Sequence, residues 1–363
     1  MIFSLELIKW YSENKRSLPW RNTRNPYLIW VSEIIMQQTR VEQGLPYYHR
    51  FISAFPNLKT LANAPLDEVL RIWQGLGYYS RARNIHYAAN QIQQDLNGIF
   101  PSTYLEILKL KGVGKYTASA IASFAFDEYT PVLDGNVIRF TSRYLGVYGE
   151  VAKKENAKTM EDFLLLEIKK SKAPDVFNQA MMEFGALHCT PQNPNCKICI
   201  FKINCRAFAD NKVNSTPLVK KSAKKQKRFF NYVYFDIENK GIPSTLISKR
   251  VQKDIWQDLY ELPLLEQEKI KKSDIVDFFH LPKSSEKNLK KQFKIIHQLS
   301  HRELHVVFWE YHTSLDVISD TLSPLYEVIP QIKLSQKAFP VPIVSFLNRK
   351  EETEKILSLD KNN

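Results

Sequence analysis

The 363-residue sequence contains no apolar run near the roughly 20 residues that a membrane-spanning helix needs. Its first ten residues lack an uninterrupted apolar stretch as well. Glu6 and Lys9 fall among them, which reads as the start of an amphipathic helix and not as a secretory signal. These absences argue against a membrane-spanning or secreted chain and lead to the expectation of an intracellular, cytoplasmic protein. Cysteine is scarce, with four in the chain, and reduced thiols in such a compartment point toward metal chemistry and away from disulfides. Long alternating runs are missing from the first 210 residues, and no internal repeat is evident. Acidic residues are short too: 38 Asp and Glu face 51 Lys and Arg, leaving a net charge of +13 and a pI near 9.3. That excess favours a polyanionic partner such as duplex DNA, RNA or an anionic membrane face.

What is present is an ordinary globular composition, 44% hydrophobic and 25% charged, on a chain long enough for two domains. Residues 1–210 show helical apolar spacing almost throughout, broken at Phe55-Pro56, Ala64-Pro65 and Phe100-Pro101. This stretch is expected to be all-α. Over 211–228 lysines and arginines crowd together without an acidic residue, the composition of a solvated basic linker. Beyond it, Tyr232–Ile237, Thr245–Ile247 and Val306–Trp309 carry β-branched and aromatic strand signals, with a helical stretch at Lys272–Phe279. Residues 229–350 therefore read as a smaller α/β domain, followed by a tail at 351–363.

All four cysteines fall in one segment, Cys189, Cys196, Cys199 and Cys205, spaced C-x6-C-x2-C-x5-C. Four thiolates in one loop can enclose a metal centre. Zinc is the plain reading, although zinc ribbons usually present two C-x2-C knuckles and here there is one. Upstream, Leu110-Lys111-Gly112-Val113-Gly114 lies between two helical segments, the first opening on a capping-box pattern at Thr103 and Glu106. A turn holding Gly112 and Gly114 at a helix start can present backbone N–H groups to phosphate. No strand precedes it, which disfavours a dinucleotide fold. The element over about 103–126 has the form of a helix–hairpin–helix.

Two carboxylates stand out. Glu33 lies within Ile29–Met36, apolar company that should raise its pKa. Asp134 precedes a helical stretch, whose dipole should favour its ionised form. Such a pair suits hydrolysis of an N-glycosidic bond, with one group supplying a proton and the other facing a developing cation. His297, His301 and His305 have a metal-like spacing on a helix, but the Val306–Trp309 run argues for strand and loop.

Taken together, Leu18-Pro19-Trp20-Arg21, Ser32–Thr39, Gly75–Arg83, the hairpin, Leu133–Val137, Phe177–Met182 and the cysteine loop resemble adenine DNA glycosylases of the MutY type, within the endonuclease III superfamily. The resemblance covers nearly all of residues 5–210 and weakens afterwards. It implies a helix–hairpin–helix glycosylase fold with a [4Fe–4S] cluster on the four cysteines and a Nudix-like domain behind it. The implied partner is double-stranded DNA with adenine opposite 8-oxoguanine or guanine, handled by a monomer associated with the nucleoid. Glu33 would protonate adenine and Asp134 would stabilise the cationic sugar. Gln38 and Tyr78 would fill the gap in the stack, with Thr39 and Leu76 near the oxidised guanine. Trp20, Arg21 and Gln179 would line the adenine pocket. Tyr116 stands where strand-cleaving relatives carry a lysine, which implies base release alone. Leu299-Ser300-His301 resembles a Phe-Ser-His loop that inspects 8-oxoguanine, with leucine in place of the ring. Trp256–Pro263 resembles the Nudix-like core with Asp258 at a usual glycine. No Arg-Glu-x-x-Glu-Glu helix follows, so pyrophosphate hydrolysis is not expected. The alternatives are a thymine or uracil mismatch glycosylase and a non-catalytic iron–sulfur DNA-binding protein.

Overall fold

The structure, a computed structural model, describes residues 2–218, 225–315, 318, 322 and 324–360, with backbone alone for 353–360. Part of the basic linker, 219–224, and the end of the tail, 361–363, lie outside the described residues. The chain forms two compact units, Met1–Asn63 with Arg83–Lys221, and Ala64–Ala82 with Ser222–Asn363. Among the described residues no helix is long and apolar enough to cross a membrane.

The N-terminal 210 residues are helical, as their spacing predicts. The order begins α1 (Phe3–Asn14), α2 (Pro26–Met36), α3 (Val41–Ala54), α4 (Leu58–Asn63), α5 (Leu66–Trp73) and α6 (Ser80–Asp95). It continues α7 (Tyr104–Ile107), α8 (Lys115–Phe126), α9 (Gly135–Leu145), α10 (Lys154–Ser171), α11 (Pro174–Leu187) and α12 (Arg206–Ala209). In the first unit α1, α9, α10 and α11 enclose a core of Phe3, Leu7, Val137, Phe140, Leu164, Ile168, Phe177 and Phe184. Cys189 and Cys199 pack against that core, so the cysteine loop is seated on the same helices that shape the site described below.

In the second unit β1 (Gln226–Asn239) runs parallel to β6 (Arg302–Ser314) through the middle of one sheet. The order is β3 (Tyr260–Glu261), β2 (Ile242–Lys249), β1, β6, β5 (Leu289–Gln298), with β4 (Leu264–Glu266) on β1 and β7 (Glu327–Pro330) on β2. Helix α13 (Lys272–Phe278) covers one face through Ile275 and Val276 against Val233, Phe235 and Ile237. Helix α14 (Val341–Asp360) covers the other, with Phe346 stacked on Phe308 at 4.4 Å and edge-on to Tyr234. Burial on both faces is why β1 reads as a continuous apolar run and does not alternate. The basic stretch expected as linker contributes its last residues, Gln226–Arg228, to β1.

The β5–β6 hairpin carries Ser300 and His301 at its tip, so the three histidines of that region stand on strands and a turn, not on a helix. Asp258 has φ +65, the left-handed conformation for which glycine is suited and which Asp tolerates better than most residues.

Candidate active site

Helix α2 begins at Pro26 behind the cap Asn25, whose side chain accepts from Tyr27 N–H. It is apolar nearly all round, so Glu33 on its third turn is 5% exposed. Burial pushes the Glu33 carboxyl up to about 7, and the Asp134 carboxylate pushes the same way. A hydrogen bond from Tyr116 and the charge of Arg21 act against that rise. Tyr116 lies in the first turn of α8 and its hydroxyl donates to Glu33 Oε2. Burial and the two nearby carboxylates hold the Tyr116 phenol well above its ordinary pKa, so it remains a donor.

Asp134 is the N-cap of α9. Its Oδ1 accepts from Val137 N–H at 2.7 Å and its Oδ2 from Asn136 Nδ2 at 2.8 Å. The helix start therefore does what the sequence suggests. The preference of that helix start for the charged form is nevertheless opposed by the surroundings. Burial raises the Asp134 pKa above its ordinary value despite these hydrogen bonds and the charge of Arg139. The start of α9 is closely packed: a Cβ on Gly185 of α11 would stand 2.6 Å from the Asn136 carbonyl oxygen, so glycine is what lets α11 close over it. The approach to Asp134 is fixed by Asn178, which accepts from Val132 N–H and donates to Ser123 Oγ and the Thr130 carbonyl.

Arg21 pairs with Glu183, Nη1 and Nη2 each reaching one carboxylate oxygen at 3.0 and 2.7 Å. Arg16 binds the same carboxylate, and the pair of guanidiniums holds Glu183, although buried, down at about 2. Tyr11 lies under Arg21 and donates to Gln179 Oε1 at 3.0 Å. Trp20 packs edge-on against Tyr48. Glu183 was not singled out in the sequence. Its position four residues after Gln179 on α11 places the two on one helix face, and that spacing is the signal that would have found it.

The hairpin has the expected form. Thr103 and Glu106 make the capping box, and Gly112 stands at φ +77 with Asn84 only 2.5 Å from where a Cβ would be. Gly114 caps α8 with open space beside it, as a backbone that receives a phosphate requires. Gln38 and Tyr78 share a feature that the sequence does not advertise: both are exposed and both adopt positive φ, +54 and +47. Non-glycine residues held there cluster at functional sites. Thr39 is half-buried and its hydroxyl donates to the Gln37 carbonyl at 3.2 Å, while Leu76 is buried.

Cys189, Cys196, Cys199 and Cys205 line one cavity with Phe140, Phe184 and Phe201. Among the described residues the only trio of metal-ligating atoms within 4.8 Å of one another is Asp236, Glu310 and His312. The sulfurs thus stand too far apart for one tetrahedral zinc, whose ligands would sit about 3.8 Å from each other. Four separated thiols in one cavity suit a polynuclear cluster. Arg143 donates to Cys189 Sγ at 3.4 Å, and the buried Nε2 of His188, lining the same cavity, has no partner among the described residues. The donor set fits.

Residues 31–164, which include both carboxylates, match the family described as HhH-GPD superfamily base excision DNA repair protein, and residues 233–349 match the NUDIX domain. An adenine DNA glycosylase of Buchnera aphidicola subsp. Baizongia pistaciae is 38% identical over 315 residues, 84% of this chain and 85% of its own length. The Mus musculus adenine DNA glycosylase is 41% identical over 215 residues, 57% of this chain and 42% of that protein. A solved structure of a thermostable thymine-DNA glycosylase is similar with a TM-score of 0.52 at 27% identity, covering 58% of this chain and 96% of that one. The long match to the Buchnera protein runs on past the helical region, and the chain belongs to the adenine DNA glycosylase (MutY) family.

Proposed function

We propose that the protein hydrolyses the N-glycosidic bond of adenine standing opposite 8-oxoguanine or guanine in duplex DNA, leaving an abasic site in an unbroken strand. The observation that carries this reading is the buried Glu33, bonded at Oε2 by Tyr116 and set beside Asp134. With one oxygen fixed by the tyrosine, the other is left to give its proton to adenine, a poor leaving group until protonated. Asp134, at the start of α9, supplies the fixed negative charge beside the sugar as it becomes cationic.

Trp20, Arg21 and Gln179 wall the pocket of the flipped base, with Arg21 and Gln179 immobilised by Glu183 and Tyr11. Gln38 and Tyr78 replace the base in the stack, Thr39 and Leu76 approach the opposite base, and Gly112 and Gly114 hold a phosphate. Ser300 and His301 inspect the oxidised guanine. The protein would carry out these steps as a monomer on the nucleoid. Cys189, Cys196, Cys199 and Cys205 would hold a [4Fe–4S] cluster, whose role when bound is to neutralise the thiolates and hold the loop to α9. Purified protein should accordingly contain about four iron and four sulfide per chain. One zinc per chain without sulfide would defeat that assignment.

The reaction reading rests on Tyr116 as well. A lysine there could attack the sugar, whereas Tyr116 is committed to Glu33 and the neighbouring Lys115 is exposed. On an adenine:8-oxoguanine duplex the protein should release adenine, with strand cleavage only after alkali. Thymine:guanine and uracil duplexes should be poor substrates. Borohydride trapping as efficient as that of a lyase would overturn the monofunctional reading, and faster release of thymine or uracil would overturn the substrate.

A further inference from the structure

The segment 64–82 belongs by its packing to the unit that contains the Nudix-like sheet, although it interrupts the helical region in sequence. It consists mainly of α5 and the turn Gly75–Tyr79. Near its N-terminus, the Asp67 carboxylate is bound through one oxygen to Lys249 at the end of β2 and through the other to the Tyr260 hydroxyl of β3, at 2.9 Å. Just past the C-terminus of α5, Gln74 Oε1 accepts the Phe339 N–H at 2.9 Å. The two anchor points on the sheet side are themselves joined, since Tyr260 N–H donates to the Ala338 carbonyl at 2.8 Å. Lys249 and Lys337 both lie over the Tyr260 ring.

The turn that follows is fastened to α5 from within. Trp73 Nε1 and Arg81 Nη2 both donate to the Gly77 carbonyl, at 3.0 and 3.3 Å. Arg81 lies over the rings of Trp73 and Tyr78, 5.3 and 5.5 Å from their centroids. Gly75 and Gly77 take φ +97 and +77, and Tyr78 itself takes +47. A helix of eight residues is marginal alone, and a non-glycine residue at positive φ persists only where its surroundings impose it. Here the turn hangs from α5 through Trp73 and Arg81, and α5 is held in turn by the β2–β3 edge and the Ala338–Phe339 stretch.

We propose that Asp67 and Gln74 are positioning residues for Tyr78: they tie its turn to the domain that carries Ser300 and His301, so that filling the stack and inspecting the opposite base are tasks of one body. This rests on the reading of Tyr78 given above. The competing account is that Asp67 is merely a first-turn acid favoured by the dipole of α5, in which case Lys249 is irrelevant to the turn.

Hydrogen exchange on the full-length protein separates the two. Asp67→Ala and Lys249→Met should each speed exchange of the Gly75–Ser80 amides by on the order of tenfold, with the β1 and β6 amides unchanged. Unchanged exchange in Lys249→Met would overturn the proposal. Single-turnover excision from an adenine:8-oxoguanine duplex supplies the functional arm. Asp67→Ala should slow excision, and Asp67→Ala with Tyr78→Ala should be no slower than Tyr78→Ala alone. Additive losses would mean that Asp67 acts elsewhere and would overturn the proposal. Should Tyr78→Ala excise at the parental rate, the assignment of Tyr78 to the stack fails, and the exchange experiment still decides the anchoring.

Discussion

Glu33→Gln should abolish adenine release while binding to the mispaired duplex survives. Glutamine keeps the shape of the side chain, and its amide oxygen can still accept from Tyr116. It has no acidic proton. Removal of a general acid costs about 10²–10⁴-fold in rate, and a leaving group as poor as neutral adenine places this variant at the severe end. The pKa of about 7 makes the parent enzyme protonated at Glu33 over the lower part of the neutral range. Excision should therefore fall as pH rises through 7, an alkaline limb that Glu33→Gln lacks. The same shift has a stability consequence. Between the ordinary carboxyl pKa of about 4.5 and 7, the folded chain holds a proton at Glu33 that the unfolded chain has released. Stability contributed by this group is complete below 4.5, falls as pH rises, and reaches its lower plateau above 7. A shift of that size corresponds to about 3 kcal/mol. Glu33→Gln should consequently melt higher than the parent at pH 8, with the difference vanishing near pH 4.5. Single-turnover excision and thermal melts at both pH values test this. Excision near the parental rate would move the acid to another residue, and equal melting at pH 8 would mean that Glu33 is not buried in the way described.

The contrast between what was legible in the sequence and what was not follows from the range of the interactions concerned. Helix spacing, the capping box at Thr103, the N-cap at Asp134 and the strands of β1, β2 and β6 are set by neighbours within a few residues, and each forms as expected. The burial of Glu33 was also readable, because the apolar residues that enclose it include those of its own helix. Asp134 shows the limit. Its local signal, a helix start, favours the charge. The burial that opposes it is a product of the tertiary fold, in which α11 closes on the start of α9 at Gly185, some fifty residues on. Glu183 stayed hidden because its partners Arg16 and Arg21 lie more than 160 residues away. The allegiance of α5 was invisible for the same reason, since Asp67 finds Lys249 and Tyr260 only in the fold. Positive φ at Gln38 and Tyr78 leaves no compositional trace, because neither residue is a type that favours it.

Asp134→Asn should lose most of the activity for a reason unlike that of Glu33→Gln, and the two can be told apart by pH. Asparagine caps a helix about as well as aspartate, so α9 should keep its start and the protein its folding stability to within about 1 kcal/mol. What disappears is the negative charge beside the sugar. Loss of one fixed electrostatic contact to a developing charge costs about 10²–10³-fold, and here a full charge is removed from a buried site. In the parent, burial raises the Asp134 pKa, so excision should also fall on the acid side as this group takes up its proton. The profile is thus a bell, with Asp134 supplying the acid limb and Glu33 the alkaline one. Asp134 also contributes to the raised pKa of Glu33. The residual activity of Asp134→Asn should therefore have no acid limb of this origin, and its alkaline limb should move to lower pH. A profile of residual excision from pH 5 to 9, alongside binding of the mispaired duplex, reads both changes. An alkaline limb that stays where the parent has it would show that the two carboxylates do not interact across the site. Parental excision by Asp134→Asn would remove the charge from the mechanism altogether.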